Sequence, residues 1–111
     1  MKLDFVRQIS QLCRERRAVD VKALEIGVLC GFTDFMVIAT VSSQAMMRAL
    51  GRDITRLLSS MDITILGKEG IDSGHWAIID AGFVVIHLYD RETRDFYRLE
   101  DLWSDATYIT F

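Results

Sequence analysis

Residues 34–41 read Asp-Phe-Met-Val-Ile-Ala-Thr-Val, and the five from Phe35 to Ala39 form an unbroken apolar run. Side chains alternate between the two faces of a strand, so a run without alternation is apolar on both faces. Such a strand belongs in the middle of a sheet, covered above and below. That reading fixes the fold class, and the rest of the chain is read outward from it.

Immediately after the run, Ser42 and Ser43 are good N-cap residues, because their hydroxyls accept from free backbone N–H groups of a following helix. Met47, Leu50, Ile54, Leu57, Leu58 and Met61 recur at helical spacing, which predicts a helix over about Gln44–Met61. Gly51 inside it costs roughly 1 kcal/mol of helix propensity relative to Ala, an exchange for close packing against the sheet. Before the run, Leu3, Val6, Ile9, Leu12 and Cys13 predict an amphipathic helix over Lys2–Arg17. Asp20–Val28 carries a weaker strand pattern, with Leu24, Ile26 and Val28 on one side, and Gly27 and Gly31 bracket a turn around Leu29 and Cys30. Arg14, Arg16 and Arg17 fall where the first helix ends, and their charge complements the negative end of its dipole, with an RNA contact as the alternative reading.

Further along, Ile63–Gly67 predicts a short strand and Lys68–Gly74 a loop. His75–Asp80 and Phe83–Tyr89 follow as two strands of a hairpin turning at Ala81-Gly82. A two-residue turn there pairs Asp80 with Phe83, Ile78 with Val85 and Trp76 with His87. One face then carries Ala77, Ile79, Val84, Ile86 and Leu88 and is core. The other carries Trp76, Ile78, Asp80, Phe83, Val85, His87 and Tyr89. Aromatics mixed with an imidazole and a carboxylate suit a surface that another macromolecule covers; a helix over this face, with internal hydrogen bonds to the polar tips, is the competing reading. His87 itself reads either as a satisfied core group or as part of that surface.

The charged run Asp90–Asp95 precedes a last helical turn or two ending at Trp103, and Tyr108, Ile109 and Phe111 predict an added strand or a surface for a neighbour. Helices interleave with strands, so the class is α/β with a mixed β-sheet flanked by helices, in one domain over residues 1–111. The segment Arg94–Trp103 packs three aromatics and many charges into ten residues without a Ser, Cys or His nucleophile. Rings beside arginine are what binding hot spots are made of, so it reads as a gripping surface.

A net charge of −3 gives no overall basic surplus for nucleic acid. Cys13 and Cys30 lack metal-ligand spacing and read as buried free thiols, which with the absence of a signal peptide predicts a cytosolic protein. No phosphate loop, zinc pair, nucleophile elbow or dinucleotide fingerprint is present. Asp90 and Glu92 have the two-apart spacing by which nucleotidyl transferases hold magnesium, but the phosphate-binding amides and further carboxylates of a two-metal site are missing.

In order and spacing, several segments resemble the ribosomal silencing factor family, also called Iojap-like proteins. They are Thr33–Thr40, Ser42-Ser43, Glu69-Gly70, Gly74-His75-Trp76, Asp80–His87 and Arg94–Ala106. The resemblance implies a nucleotidyltransferase-like fold without the catalytic motif, no cofactor and no enzymatic activity. It implies a partner, the large ribosomal subunit, gripped through its ribosomal protein fourteen with little direct nucleic-acid contact, so that subunit joining is blocked when nutrients are scarce. It also implies a homodimer when free. The family's partner-binding character falls on Trp76, Tyr97, Leu99, Glu100 and Trp103. The mixed face and the charge pattern add Asp80, His87 and Asp101, the acids complementing a basic ribosomal protein. A nucleotidyl transferase using Asp90 and Glu92, and a factor that escorts the immature large subunit, are the alternatives.

Overall fold

The computed structural model describes residues 2–27 and 31–111, apart from the side chain of Leu99. The central apolar run is a strand, β2 (Phe35–Thr40), and all six of its residues are buried. It lies between β1 (Val19–Glu25), antiparallel to it, and β5 (Val84–Tyr89), parallel to it. With β3 (Gly67–Glu69), β4 (Trp76–Asp80) and β6 (Thr107–Ile109) the sheet is six-stranded and mixed, in the order β3-β4-β5-β2-β1-β6.

Alternation along β2 divides the core in two. Phe35, Val37 and Ala39 point to the face covered by α1 (Lys2–Glu15) and α2 (Gln44–Ser60), where Val6, Ile9, Cys13, Met47, Leu50, Ile54 and Leu58 are buried with them. Met36 and Ile38 point the other way, into a smaller cluster with Leu24, Ile26 and Tyr89. Burial pushes the Cys13 thiol up to about 12, which makes it a packing group and not a reactive one. Ser43 caps α2, its Oγ accepting from the Met46 N–H at 3.0 Å. Among the described residues no helix is long and apolar enough to cross a membrane.

Several expectations are corrected. The strand expected over Asp20–Val28 is Val19–Glu25, with an irregularity between Val19 and Lys22; Val28, and the turn around Leu29 and Cys30, lie outside the described residues. The strand expected at Ile63–Gly67 begins only at Gly67, because its partner β4 ends at Asp80, opposite Gly67. Gly51 does not make room for the sheet. A Cβ there would meet the Ile71 side chain at 3.2 Å, so the glycine admits the turn that follows β3.

The hairpin register differs by two residues from the expected one. Asp80 pairs with Val85, Ile78 with His87 and Trp76 with Tyr89. The turn is Gly82-Phe83, with the Ala81 N–H donating to the Val84 carbonyl at 2.9 Å. Gly82 takes φ +87°, the left-handed value that the first central position of this tight turn demands and that glycine adopts without strain. Because side chains alternate with a period of two, a slip of two keeps every strand residue on its face. Phe83 alone changes place, packing on Phe5 of α1 with ring centroids 6.0 Å apart.

The charged run 90–95 is itself helical. Asp90 caps α3 (Arg91–Tyr97), and a turn through Arg98, in left-handed conformation, leads to α4 (Leu99–Leu102). The tail then adds β6 antiparallel to β1, pairing Ala23 with Ile109 and Glu25 with Thr107.

Candidate functional site

The two long helices cover one face of the sheet. On the other, among the described residues, the small apolar cluster is covered by Trp76, Trp103 and Ala106, each partly buried. Trp76 is the centre of this face. Its ring stacks on Tyr89 with centroids 5.2 Å apart and 15° between planes, and Tyr97 of α3 tilts against it at 4.8 Å. Phe96 meets Tyr97 edge-on at 5.0 Å. The sequence thus builds a continuous aromatic path from the buried sheet to solvent. Its outer end is open: Phe96 is 78% exposed and Tyr97 56%. A shallow groove of about 280 Å³ beside it is lined by His75, Glu92, Thr93, Phe96 and Tyr97.

His87 lies beneath this path, buried on β5. Its Nδ1 accepts from the Trp76 Nε1–H at 3.0 Å, which requires a neutral ring. Burial pushes its pKa down to about 4 from the ordinary 6.5. A histidine with a depressed folded pKa contributes stability that is complete above pH 6.5 and is lost as the pH falls toward 4, because the unfolded chain takes up the proton first. The loss amounts to about 3 kcal/mol over that window. His87→Gln keeps an acceptor for Trp76 and removes the titration, so its urea-unfolding free energy will fall less than the wild type's between pH 7 and 4.5. Parallel pH profiles for the two proteins would refute this account.

What holds the exposed end in place is Arg94, which the sequence placed at the start of the gripping surface and which is only 4% exposed. Its Nε and Nη2 donate to Glu100 Oε2 at 2.9 and 2.8 Å, and its Nη1 donates to the Asp20 carbonyl at 2.7 Å and to Thr40 Oγ1 at 2.8 Å. One guanidinium therefore ties α3 and α4 to β1 and β2. Asp20, at φ +49° within the irregularity of β1, supplies a carbonyl to this clamp.

The sequence-based candidates separate in space. Trp76, Tyr97 and Trp103 gather on one face with His87 beneath them. Trp103 Nε1 is buried without a hydrogen-bond partner. Glu100 is committed to Arg94, and Asp101 forms an exposed ion pair with Arg98 at 2.7 Å. Asp80 lies at the far end of β4, its Oδ1 accepting from the Gly82 N–H at 2.9 Å. The Leu99 side chain lies outside the described residues. Phe96 joins the patch without having been singled out. Two adjacent aromatics on a short helix were the available signal, since a helix with one buried face cannot cover both.

The Asp90 carboxylate is engaged by its neighbours. Asp90 Oδ1 accepts from the Thr93 N–H at 2.8 Å and Oδ2 contacts His75 Nδ1 at 2.7 Å, while Glu92 is exposed in the first turn of α3. Partial desolvation works to raise the Asp90 pKa, but the hydrogen bonds from Thr93 and His75 outweigh it and hold the carboxyl below its ordinary range. Among the described residues no cluster of three or more His, Cys, Asp or Glu is placed to hold a metal.

Comparisons with known proteins complete the description. The family described as "Ribosomal silencing factor during starvation" matches residues 2–111. A protein named ribosomal silencing factor RsfS from Bacillus subtilis is 32% identical over 94 residues, 85% of this chain and 80% of its own length. The protein of the same name from Chromobacterium violaceum is 32% identical over 103 residues, 89% of this chain and 84% of its own. The chloroplastic protein Iojap of Arabidopsis thaliana is 31% identical over 107 residues, which make up 44% of its length. A crystal structure of a protein from Chromobacterium violaceum superposes with a TM-score of 0.86 at 28% identity, covering 94% of this chain and 88% of that one. With the family match running from residue 2 to the last residue, the chain belongs to the ribosomal silencing factor family.

Proposed function

We propose that this chain represses translation in the cytoplasm as an obstacle and not as a catalyst, binding the large ribosomal subunit through its ribosomal protein fourteen and blocking the small subunit from joining. The observation that carries the reading is the exposed Phe96–Tyr97 pair on α3, backed by the Trp76–Tyr89 stack. An aromatic cluster whose inner ring is already fixed loses little freedom on binding, so its burial is converted efficiently into affinity. Residues 90–105 hold six acids against three arginines, a surplus that would steer this region toward a basic protein surface. Family membership supports the same reading, and it extends to pairing with a second copy when no ribosome is present. The test is direct: purified protein is sedimented with isolated large subunits, and subunit joining is followed by light scattering as the protein is added. Co-sedimentation with loss of joining is the expected result. Free joining at saturating protein would end the proposal.

A further inference from the structure

The opposite side of the molecule carries a feature that the aromatic patch does not use. Arg48, Arg52 and Arg56 recur every fourth residue along α2 and are exposed. Four residues of helix rise about 6 Å, so three guanidinium groups form a row along one flank. Lys68 of β3 lies beside that row, and together they border a cleft of about 440 Å³ floored by Gly51, Thr55 and Ile71. The cleft is built by the fold. Gly51 lets Ile71 approach the helix, and the Gln44 side-chain amide donates to the Asp72 carbonyl, fastening the turn that follows Lys68.

Two acids lie nearby. Asp53 is shared, its Oδ2 held by Arg16 at 2.8 Å and its Oδ1 3.8 Å from Arg56. Asp72 lines the cleft. Among the described residues Arg48, Arg52 and Lys68 have no ion-pair partner. The acidic character of the whole chain conceals this: residues 90–105 hold six acids against three arginines, while α2 holds three arginines against one aspartate.

We propose that the Arg48–Arg52–Arg56 row with Lys68 is a binding surface for the sugar–phosphate backbone of RNA. Guanidinium forks match phosphate oxygens, and a row at regular intervals matches a polymer of phosphates better than a single small anion. The cleft is open to solvent, which admits a strand. No aromatic ring lines it, so it has no platform for bases, and contact is with the backbone irrespective of sequence. An acidic protein is the less suited occupant, because Ile71 is the only large apolar side chain available to form an interface core. α2 packs on the sheet face opposite to Trp76, so a target in which protein borders RNA can be held from both sides. That the RNA is ribosomal rests on the proposed function; the capacity to bind RNA does not.

The experiment uses the full chain and a short fluorescent RNA of mixed sequence, with anisotropy read between roughly 50 and 200 mM salt. Three or four neutralised phosphates give a slope of log affinity on log salt of about −2 to −3 for a single strand, and Arg48→Gln/Arg52→Gln/Lys68→Gln flattens it by about 2. The triple variant is expected to bind at least tenfold more weakly at the lowest salt, with an unchanged circular dichroism spectrum because all three side chains are exposed. Tyr97→Ala is expected to leave RNA affinity unchanged, which separates this surface from the aromatic one. Coincident wild-type and triple-variant titrations, or no wild-type binding at the lowest salt, would overturn the proposal. So would polyglutamate binding as tightly as the RNA.

Discussion

Arg94→Met will lower the unfolding free energy by about 3 kcal/mol or more, one of the largest effects expected from any single change in this chain. Methionine fills much of the same volume, so the loss is not one of packing. It arises because Glu100 is left with its charge against a half-buried protein surface, while the Asp20 carbonyl and Thr40 Oγ1 lose their donors together. The damage will be local first. Amide exchange in residues 91–106 will accelerate before that in β2 and β5, because Arg94 is the buried polar tie between the C-terminal helices and the sheet, the Arg91–Asp20 pair being exposed. Arg94→Met/Glu100→Gln should recover part of the loss, since removing both members leaves no orphan charge. An unfolding free energy within 1 kcal/mol of wild type for the single variant would show that the clamp is dispensable.

Tyr97→Ala and Phe96→Ala address the patch that Arg94 holds up. If the patch is the centre of a partner interface, truncating Tyr97 costs about 2 kcal/mol of binding, which is roughly thirtyfold in Kd for large subunits. Tyr97 is more than half exposed in the free protein, so its removal leaves the melting temperature nearly unchanged. Trp76→Ala cannot be read so simply. Trp76 stacks on Tyr89 and donates to His87, and losing it damages the fold as well as the surface. Trp76→Phe is the better probe, retaining much of the ring and deleting only the donor. Wild-type sedimentation by the Phe96→Ala/Tyr97→Ala double variant would remove the patch from consideration.

The local rules read well where a residue's neighbours in the chain decide its state. The Ser43 cap, the helical spacing from Met47 to Leu58 and the two-faced apolarity of β2 all appear in the structure, because each depends on backbone periodicity and burial alone. The hairpin shows where such reasoning begins to fail. Its faces were legible, but its register depended on which two residues turn, and only the demand for a positive φ at Gly82 selects Gly82-Phe83 over Ala81-Gly82. The family resemblance carried the remaining functional reading, and residues 2–111 match that family.

Charge was the least legible property. Arg94 and Arg98 sit four residues apart in a charged run, yet one is buried among four acceptor contacts and the other exposed in an ion pair. The arginine row of α2 was present in the sequence but vanished in a net charge of −3. Order along the chain was therefore enough to determine the central strands, the two long helices and the division of apolar residues between two faces, since these follow from short periods. Only the tertiary structure decided which charges are spent inside and which face solvent. The cost of burying a charge depends on partners such as Asp20, Thr40 and Glu100, which the fold brings to Arg94 from up to 74 residues away.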